Sequence, residues 1–228
     1  MKYQYSVENA YEEYVSESRA EKAEGILSMS EGALDFGCGV GTPWKRQKAP
    51  CFLTAWDINE DSLNKAIDTQ RYGAVLVTSL PQHFDTVLLM GVLEHIEEPE
   101  ILIEELLLDT SPDYLYITVP NGDSIHRRFG VESNMLNRSN DLTTSDVDFG
   151  HFHCFTIETL EEMISDIDEL IILSSGSTHC KISSSANMQD WMDVPQWRAL
   201  DKATEGIVHG EGKYNGAELY MIIKTEIQ

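Results

Sequence analysis

The stretch Ala33-Leu34-Asp35-Phe36-Gly37-Cys38-Gly39-Val40-Gly41 decides how this chain is read. An apolar run of strand character leads directly into three glycines at alternate positions. Without a Cβ the backbone can turn tightly there and approach a ligand closely. A second apolar run, Phe52-Leu53-Thr54-Ala55-Trp56, ends at Asp57, twenty residues after Gly37. A strand, a glycine turn and a later strand ending in an acid are the layout of a nucleoside-binding α/β half. The acid suits a ribose, whose two hydroxyls can donate to a carboxylate.

The spacing narrows the ligand. A dinucleotide fingerprint needs GxGxxG, whereas here the third glycine falls one place early, at Gly37, Gly39 and Gly41. Asp35 stands two residues before the first glycine, where a carboxylate could accept from an ammonium group and would sit poorly beside a pyrophosphate. These features point to a nucleoside carrying an amino acid. On them the chain resembles the class I S-adenosylmethionine-dependent methyltransferases, in particular the small-molecule ones. Their first motif, a hydrophobic strand followed by D/E-x-G-x-G-x-G, is matched by LDFGCGVG at every defined position. A second signature follows in the right order: the strand Phe84-Asp85-Thr86-Val87-Leu88-Leu89-Met90, then GVLEHIEEPE. LYITVPNG at 115–122 and the GHxxxFT pattern from Gly150 also resemble the family. The resemblance covers roughly residues 30 to 175, with the last strand placed by position alone.

Composition bounds the alternatives. With 228 residues, 42% of them hydrophobic, the chain can build one α/β domain with additions and is short for two. No run approaches the roughly 18 to 20 apolar residues of a membrane span. The start MKYQYSVENAYEEY has no apolar signal core, so a cytoplasmic protein is expected. A formal charge of −23, from 39 acids against 16 bases, disfavours nucleic acid and anionic membranes as partners. Lys45-Arg46-Gln47-Lys48 and His126-Arg127-Arg128 are the dense basic stretches, and solvated loops account for them. Cys38, Cys51, Cys154 and Cys180 share no CxxC spacing, as suits reduced thiols rather than a disulfide or zinc framework.

In chain order, residues 1–31 suggest one or two helices, either capping the sheet or forming a lid over the cofactor, with Tyr5, Tyr11 and Tyr14 as weak contact candidates. Thr42-Pro43-Trp44 should start a short helix, and Asp57–Ser62 should open another that runs to about Gln70. Ala74–Thr78 reads as a third strand. Because no acid occurs between Asp68 and Asp85, adenine contacts after it would fall to backbone or to Thr78, Ser79 or Leu80. Glu100–Leu108 is expected as a helix and Tyr114–Val119 as the fifth strand. Asp123–Gly150 is polar and aperiodic. Thr156, Thr159 and Glu161 then signal a capped helix with Ile157, Leu160 and Ile164 as its stripe. Glu169–Leu173 and Leu219–Lys224 are the expected sixth and seventh strands, about 45 residues apart.

The resemblance therefore implies one Rossmann-like α/β domain over 1–228. Its seven-stranded, mostly parallel sheet would run in the order 3-2-1-4-5-7-6, with helices on both faces and a long insertion between strands 6 and 7. Residues 1–31 would form an N-terminal helical cap, and 123–155 and 176–216 would shape the substrate pocket or an interface. The implied cofactor is S-adenosylmethionine, with S-adenosylhomocysteine as product. Asp35 would stand near the methionine ammonium, Gly37, Cys38 and Gly39 would give backbone approach, and Asp57 would take the ribose hydroxyls. Ile58 would pack on adenine, and Met90 would sit at the end of the fourth strand.

Methyl transfer from a sulfonium mainly requires alignment, and a base only where the acceptor loses a proton. His151 and His153 are the acceptor-side candidates, since either could be a base near neutral pH, and His95 lies at the carboxyl edge of the sheet. His151-x-His153 has no third ligand at convincing spacing, so no metal is expected. Cys154 has no identifiable partner as a nucleophile. A small-molecule acceptor is the first expectation. A protein or tRNA acceptor and a catalytically silent domain that binds the cofactor or a partner chain stay open, as does the oligomeric state, a homodimer included.

Overall fold

A computed structural model describes residues 10–44, 47–69, 71–75, 82–182, 194–208 and 210–226. Its elements are α1 (Ala10–Leu27), β1 (Gly32–Phe36), β2 (Phe52–Trp56), α2 (Glu60–Asp68), β3 (Ala74–Val75), β4 (Thr86–Met90), α3 (Pro99–Thr110) and β5 (Tyr114–Pro120). They continue with α4 (Ile125–Glu132), α5 (Thr144–Asp148), α6 (Ile157–Ser165), β6 (Leu170–Thr178), α7 (Val194–Val208), β7 (Gly210–Glu211) and β8 (Glu218–Thr225). The strands form one sheet in the order β3-β2-β1-β4-β5-β8-β6-β7. The pairs from β3 to β5 are parallel, and β8 enters antiparallel between β5 and β6. Without the two-residue β7 this is the expected seven-stranded order.

Alternation along the central strands divides the core. Leu34, Val87, Leu89, Leu115, Ile117, Leu219 and Met221 point to one face, under α3 and α6. Ala33, Leu88, Met90, Tyr116 and Tyr220 point to the other, where Ala20, Ala23, Ile26 and Leu27 of α1 cover them. This is the period-2 signature of strands buried on both faces. The α1 stripe, spaced by three and four, is that of a helix packed flat on a sheet. The expected N-terminal helix is thus seated on the sheet. Tyr14 stacks on buried Trp197 of α7, with ring centroids 6.1 Å apart. Tyr5, Thr78, Ser79 and Leu80 lie outside the described residues, as does the Tyr11 side chain.

Four expectations need correction. His126-Arg127-Arg128 is not a solvated loop but part of α4, with Arg127 buried. The segment 123–150 is not featureless: it holds α4 and α5, and α5 starts with a capping box of Thr143 and Asp146. The sixth strand does not stop at Leu173 but runs to Thr178, past an irregularity between Ile172 and Ser174. Its polar end is buried because partners are at hand. Ser177 Oγ lies 2.5 and 2.8 Å from the Val208 and Lys213 carbonyls, either of which can take its one O–H, and it accepts from Gly216 N at 2.8 Å. The insertion is correspondingly shorter, and it carries α7 and β7. The helix at 156 forms as expected, with Thr156 and Thr159 in a capping box and Ile157, Leu160 and Ile164 buried. No described helix is long and apolar enough to cross a membrane.

Candidate cofactor and acceptor site

The glycine turn closes the carboxyl end of β1. Gly37 N and Cys38 N both donate to the Trp56 carbonyl, at 2.8 and 3.0 Å, which ties the turn to the end of β2. Gly37, Gly39 and Gly41 have φ of 72°, 54° and 72°, a region in which side chains other than glycine's are disfavoured. At Gly37 a Cβ would also come within 2.8 Å of Val92 Cγ2. The alternate glycines are therefore required by the backbone itself.

Asp35 and Asp57 flank this turn. Asp35 is 1% exposed, and its Oδ2 accepts from Trp44 Nε1 at 2.8 Å and Tyr72 Oη at 2.7 Å. Burial lifts its carboxyl to about 6, although these two donors pull in the opposite direction. Trp44 reaches it from a 3₁₀ turn at Thr42–Trp44, and Tyr72 from the approach to β3. The sequence reading named neither as a partner. Asp57 Oδ2 accepts from Gly39 N and its Oδ1 from Asn59 N, each at 2.8 Å, so the acid also holds the turn in shape. Ile58, beside it, is 84% exposed, whereas Cys38 and Met90 are buried. Burial first, and the nearby Asp35 and Asp57, push the Cys38 thiol up, which keeps it protonated.

A second cluster lies just beyond β4. Leu93–His95 form a 3₁₀ turn that places Glu94 and His95 side by side. The chain after α5 returns to it: Phe152 N donates to the Glu94 carbonyl at 2.8 Å, which brings the His151 ring to a centroid distance of 4.6 Å from His95, edge to face. One donor atom from each of Glu94, His95 and His151 lies within 4.8 Å of the others. Glu94 is 3% exposed, its Oε2 has no hydrogen-bond partner, and burial lifts its carboxyl to about 7. Burial lowers both imidazoles, His151 to about 4 with a further push from His95. His153 stands apart, with Nε2 3.1 Å from the Glu97 carbonyl. The extended spacing of 151 and 153 thus does not bring the two rings together. The ring that joins His151 comes from the VLEH turn. Burial pushes the Cys154 thiol up to about 11, leaving no thiolate at neutral pH.

Arg19 of α1 connects the two clusters, and no local signal in the sequence marks it. Gly91 has φ 73°, and a Cβ there would lie 2.8 Å from an Arg19 Nη. Arg19 Nε donates to Glu218 Oε1 at 2.7 Å, and the Tyr116 hydroxyl donates to the Arg19 carbonyl at 3.0 Å. Its charge draws down both the Asp35 and Glu94 carboxyls against the dominant effect of burial. Further along the carboxyl edge, a cavity of about 310 Å³ is lined by Asn121, Asp123, Arg128, Lys213, Tyr214 and Asn215, and so by both segments expected to shape a pocket or interface.

The profile described as a methyltransferase domain matches residues 9–168. The chain belongs to this family. Several solved structures share its fold. The plantazolicin methyltransferase BpumL in complex with S-adenosylhomocysteine aligns at 16% identity, over 94% of this chain and 85% of that one, with a TM-score of 0.57. A S-adenosylmethionine-dependent methyltransferase from Archaeoglobus fulgidus aligns at 19% identity, over 94% and 98%, with a TM-score of 0.54. The small RNA methyltransferase HEN1 aligns at 16% identity, over 92% of this chain and 25% of that one, with a TM-score of 0.60. No curated protein matches by sequence. The sheet order, the glycine turn and the family match agree on a Rossmann-like class I methyltransferase domain, an enzyme class whose methyl donor is S-adenosylmethionine.

Proposed function

We propose that this methyltransferase domain transfers a methyl group from S-adenosylmethionine to a small-molecule acceptor in the cytoplasm. The observation that carries the reading is the Gly37–Gly41 turn held between two buried acids. In this reading the methionine ammonium meets Asp35, and the ribose hydroxyls meet Asp57. Each Asp57 oxygen already accepts one backbone N–H and keeps lone-pair capacity for a hydroxyl. Exposed Ile58 offers apolar surface to adenine, and Gly37, Cys38 and Gly39 leave the backbone open to the cofactor.

His95 and His151 are the acceptor-side groups. Both are neutral at physiological pH because burial lowers them, so either can accept a hydrogen bond, while a value of about 4 makes His151 a weak proton acceptor. His153, bonded to the Glu97 carbonyl, would serve only at the rim. A formal charge of −23 opposes RNA and favours a small acceptor. A peptide acceptor is the second reading. Exposed Phe149 and Phe152 on either side of His151 favour it, and solved neighbours include a plantazolicin methyltransferase bound to desmethylPZN analogues.

The test is production of S-adenosylhomocysteine from S-adenosylmethionine with a fractionated metabolite extract, a peptide pool or bulk tRNA. Turnover confined to metabolite fractions is expected. Turnover only with peptides or only with tRNA would overturn the acceptor class.

A further inference from the structure

We propose that Glu94, His95 and His151 bind a first-row divalent metal ion. Two imidazoles and one carboxylate are a mixed nitrogen and oxygen donor set, which suits zinc, manganese, iron or cobalt better than calcium. The three donor atoms lie within 4.8 Å of one another. Donors around one ion at 2.0–2.2 Å stand roughly 3 to 4 Å apart, so about an ångström of side-chain movement closes the set.

The backbone assembles these residues without the ion. Glu94 and His95 are neighbours on one 3₁₀ turn, and the Phe152 N–H on the Glu94 carbonyl brings in His151. Glu94 supplies the independent sign of a missing ligand. It is a 3% exposed carboxylate whose Oε2 has no hydrogen-bond partner, and a cation there would satisfy it. A further carboxylate stands near the His151 ring. Its Nδ1 lies 3.8 Å from Asp146 Oδ1, and Asp146 Oδ2 is fixed by Thr143 N at 2.8 Å. At that distance the carboxylate acts on the ring through its charge rather than through a hydrogen bond.

Arg19 offsets part of the charge on Glu94 but makes no hydrogen bond to Oε2. Arg19 is paired with Glu218, and Arg127 with Asp146 at 3.2 Å. Three protein ligands leave positions for water or for an acceptor oxygen. An acceptor hydroxyl bound there would lose its proton more readily, a role that rests on the methyl-transfer reading, whereas the ion site itself does not.

The test is titration of metal-stripped protein with Co²⁺, followed by visible ligand-field absorption, with Mn²⁺ and Zn²⁺ followed by calorimetry. One ion per chain is expected. His151→Ala should weaken it at least about tenfold, and His153→Ala should leave it unchanged. Because Glu94→Gln could fail to fold, the partly exposed His151 carries the test, with its unfolding transition as control. Absence of stoichiometric binding, or equal affinity in His151→Ala, would overturn the site. Binding of S-adenosylmethionine by the same preparation separates the two readings. Cofactor without metal removes only this site, and metal without cofactor removes only the proposed function.

Discussion

At the scale of single residues, Asp35 would couple binding of the proposed cofactor to pH. Its folded value of about 6 lies above the 3.8 of an unperturbed aspartate, so the folded chain keeps this proton to a higher pH than the unfolded one. Its contribution to stability is therefore most favourable below pH 4 and is lost as pH rises from 4 to 6. Above that a constant cost of about 3 kcal/mol remains. An ammonium placed beside it would favour the charged form. Affinity for S-adenosylmethionine should accordingly rise between pH 5 and 7 and then level off, and Asp35→Asn should flatten that profile in calorimetry. Asp57→Ala should weaken cofactor binding by more than tenfold, since it removes both the ribose acceptor and the brace on Gly39 N. Unchanged affinity would reject the assignment. Gly37→Ala combines a left-handed backbone, costing about 1–2 kcal/mol, with a 2.8 Å approach to Val92, and should lower the unfolding midpoint as well.

At the scale of elements, α1 and α7 act as one layer. Trp197 is fully buried against Tyr14, so Trp197→Ala should destabilise the protein by about 3–5 kcal/mol in denaturant unfolding. The Arg198–Glu17 pair on the same seam is half exposed on the arginine side but its carboxylate is buried, so Arg198→Ala should cost about 1–3 kcal/mol. This seam was not legible in the sequence, because it joins residues about 180 positions apart and Trp197 lies in a stretch without a family pattern. The strands were legible, since apolar runs such as Phe52–Trp56 are buried on both faces and carry their own boundaries. The end of β6 was missed because Ser174–Thr178 looks like a loop, and only the Val208 and Lys213 carbonyls make burial of Ser177 affordable. The α5 cap, Thr143-x-x-Asp146, was readable and was lost in a polar segment.

At the scale of the whole molecule, a charge of −23 means self-repulsion. Moderate salt should raise the unfolding temperature by screening it, and tRNA should show no saturable binding at physiological ionic strength. The glycine turn with Asp35 and Asp57 at its flanks was legible from spacing, because these residues are close in sequence. The meeting of His95 with His151 was not. His95 and His151 are brought together by pairing of the 150–153 backbone with the turn after β4, and Arg19, whose charge acts on both Asp35 and Glu94, comes from a helix that precedes the glycine motif. The identity of the nucleoside cofactor decides how the rest of the site works. Calorimetric titration of the purified protein with S-adenosylmethionine, S-adenosylhomocysteine and NAD tests it most directly. Saturable one-to-one binding of the first two and none of NAD is the predicted result. Absence of binding by both sulfur nucleosides, or binding of NAD in their place, would contradict it.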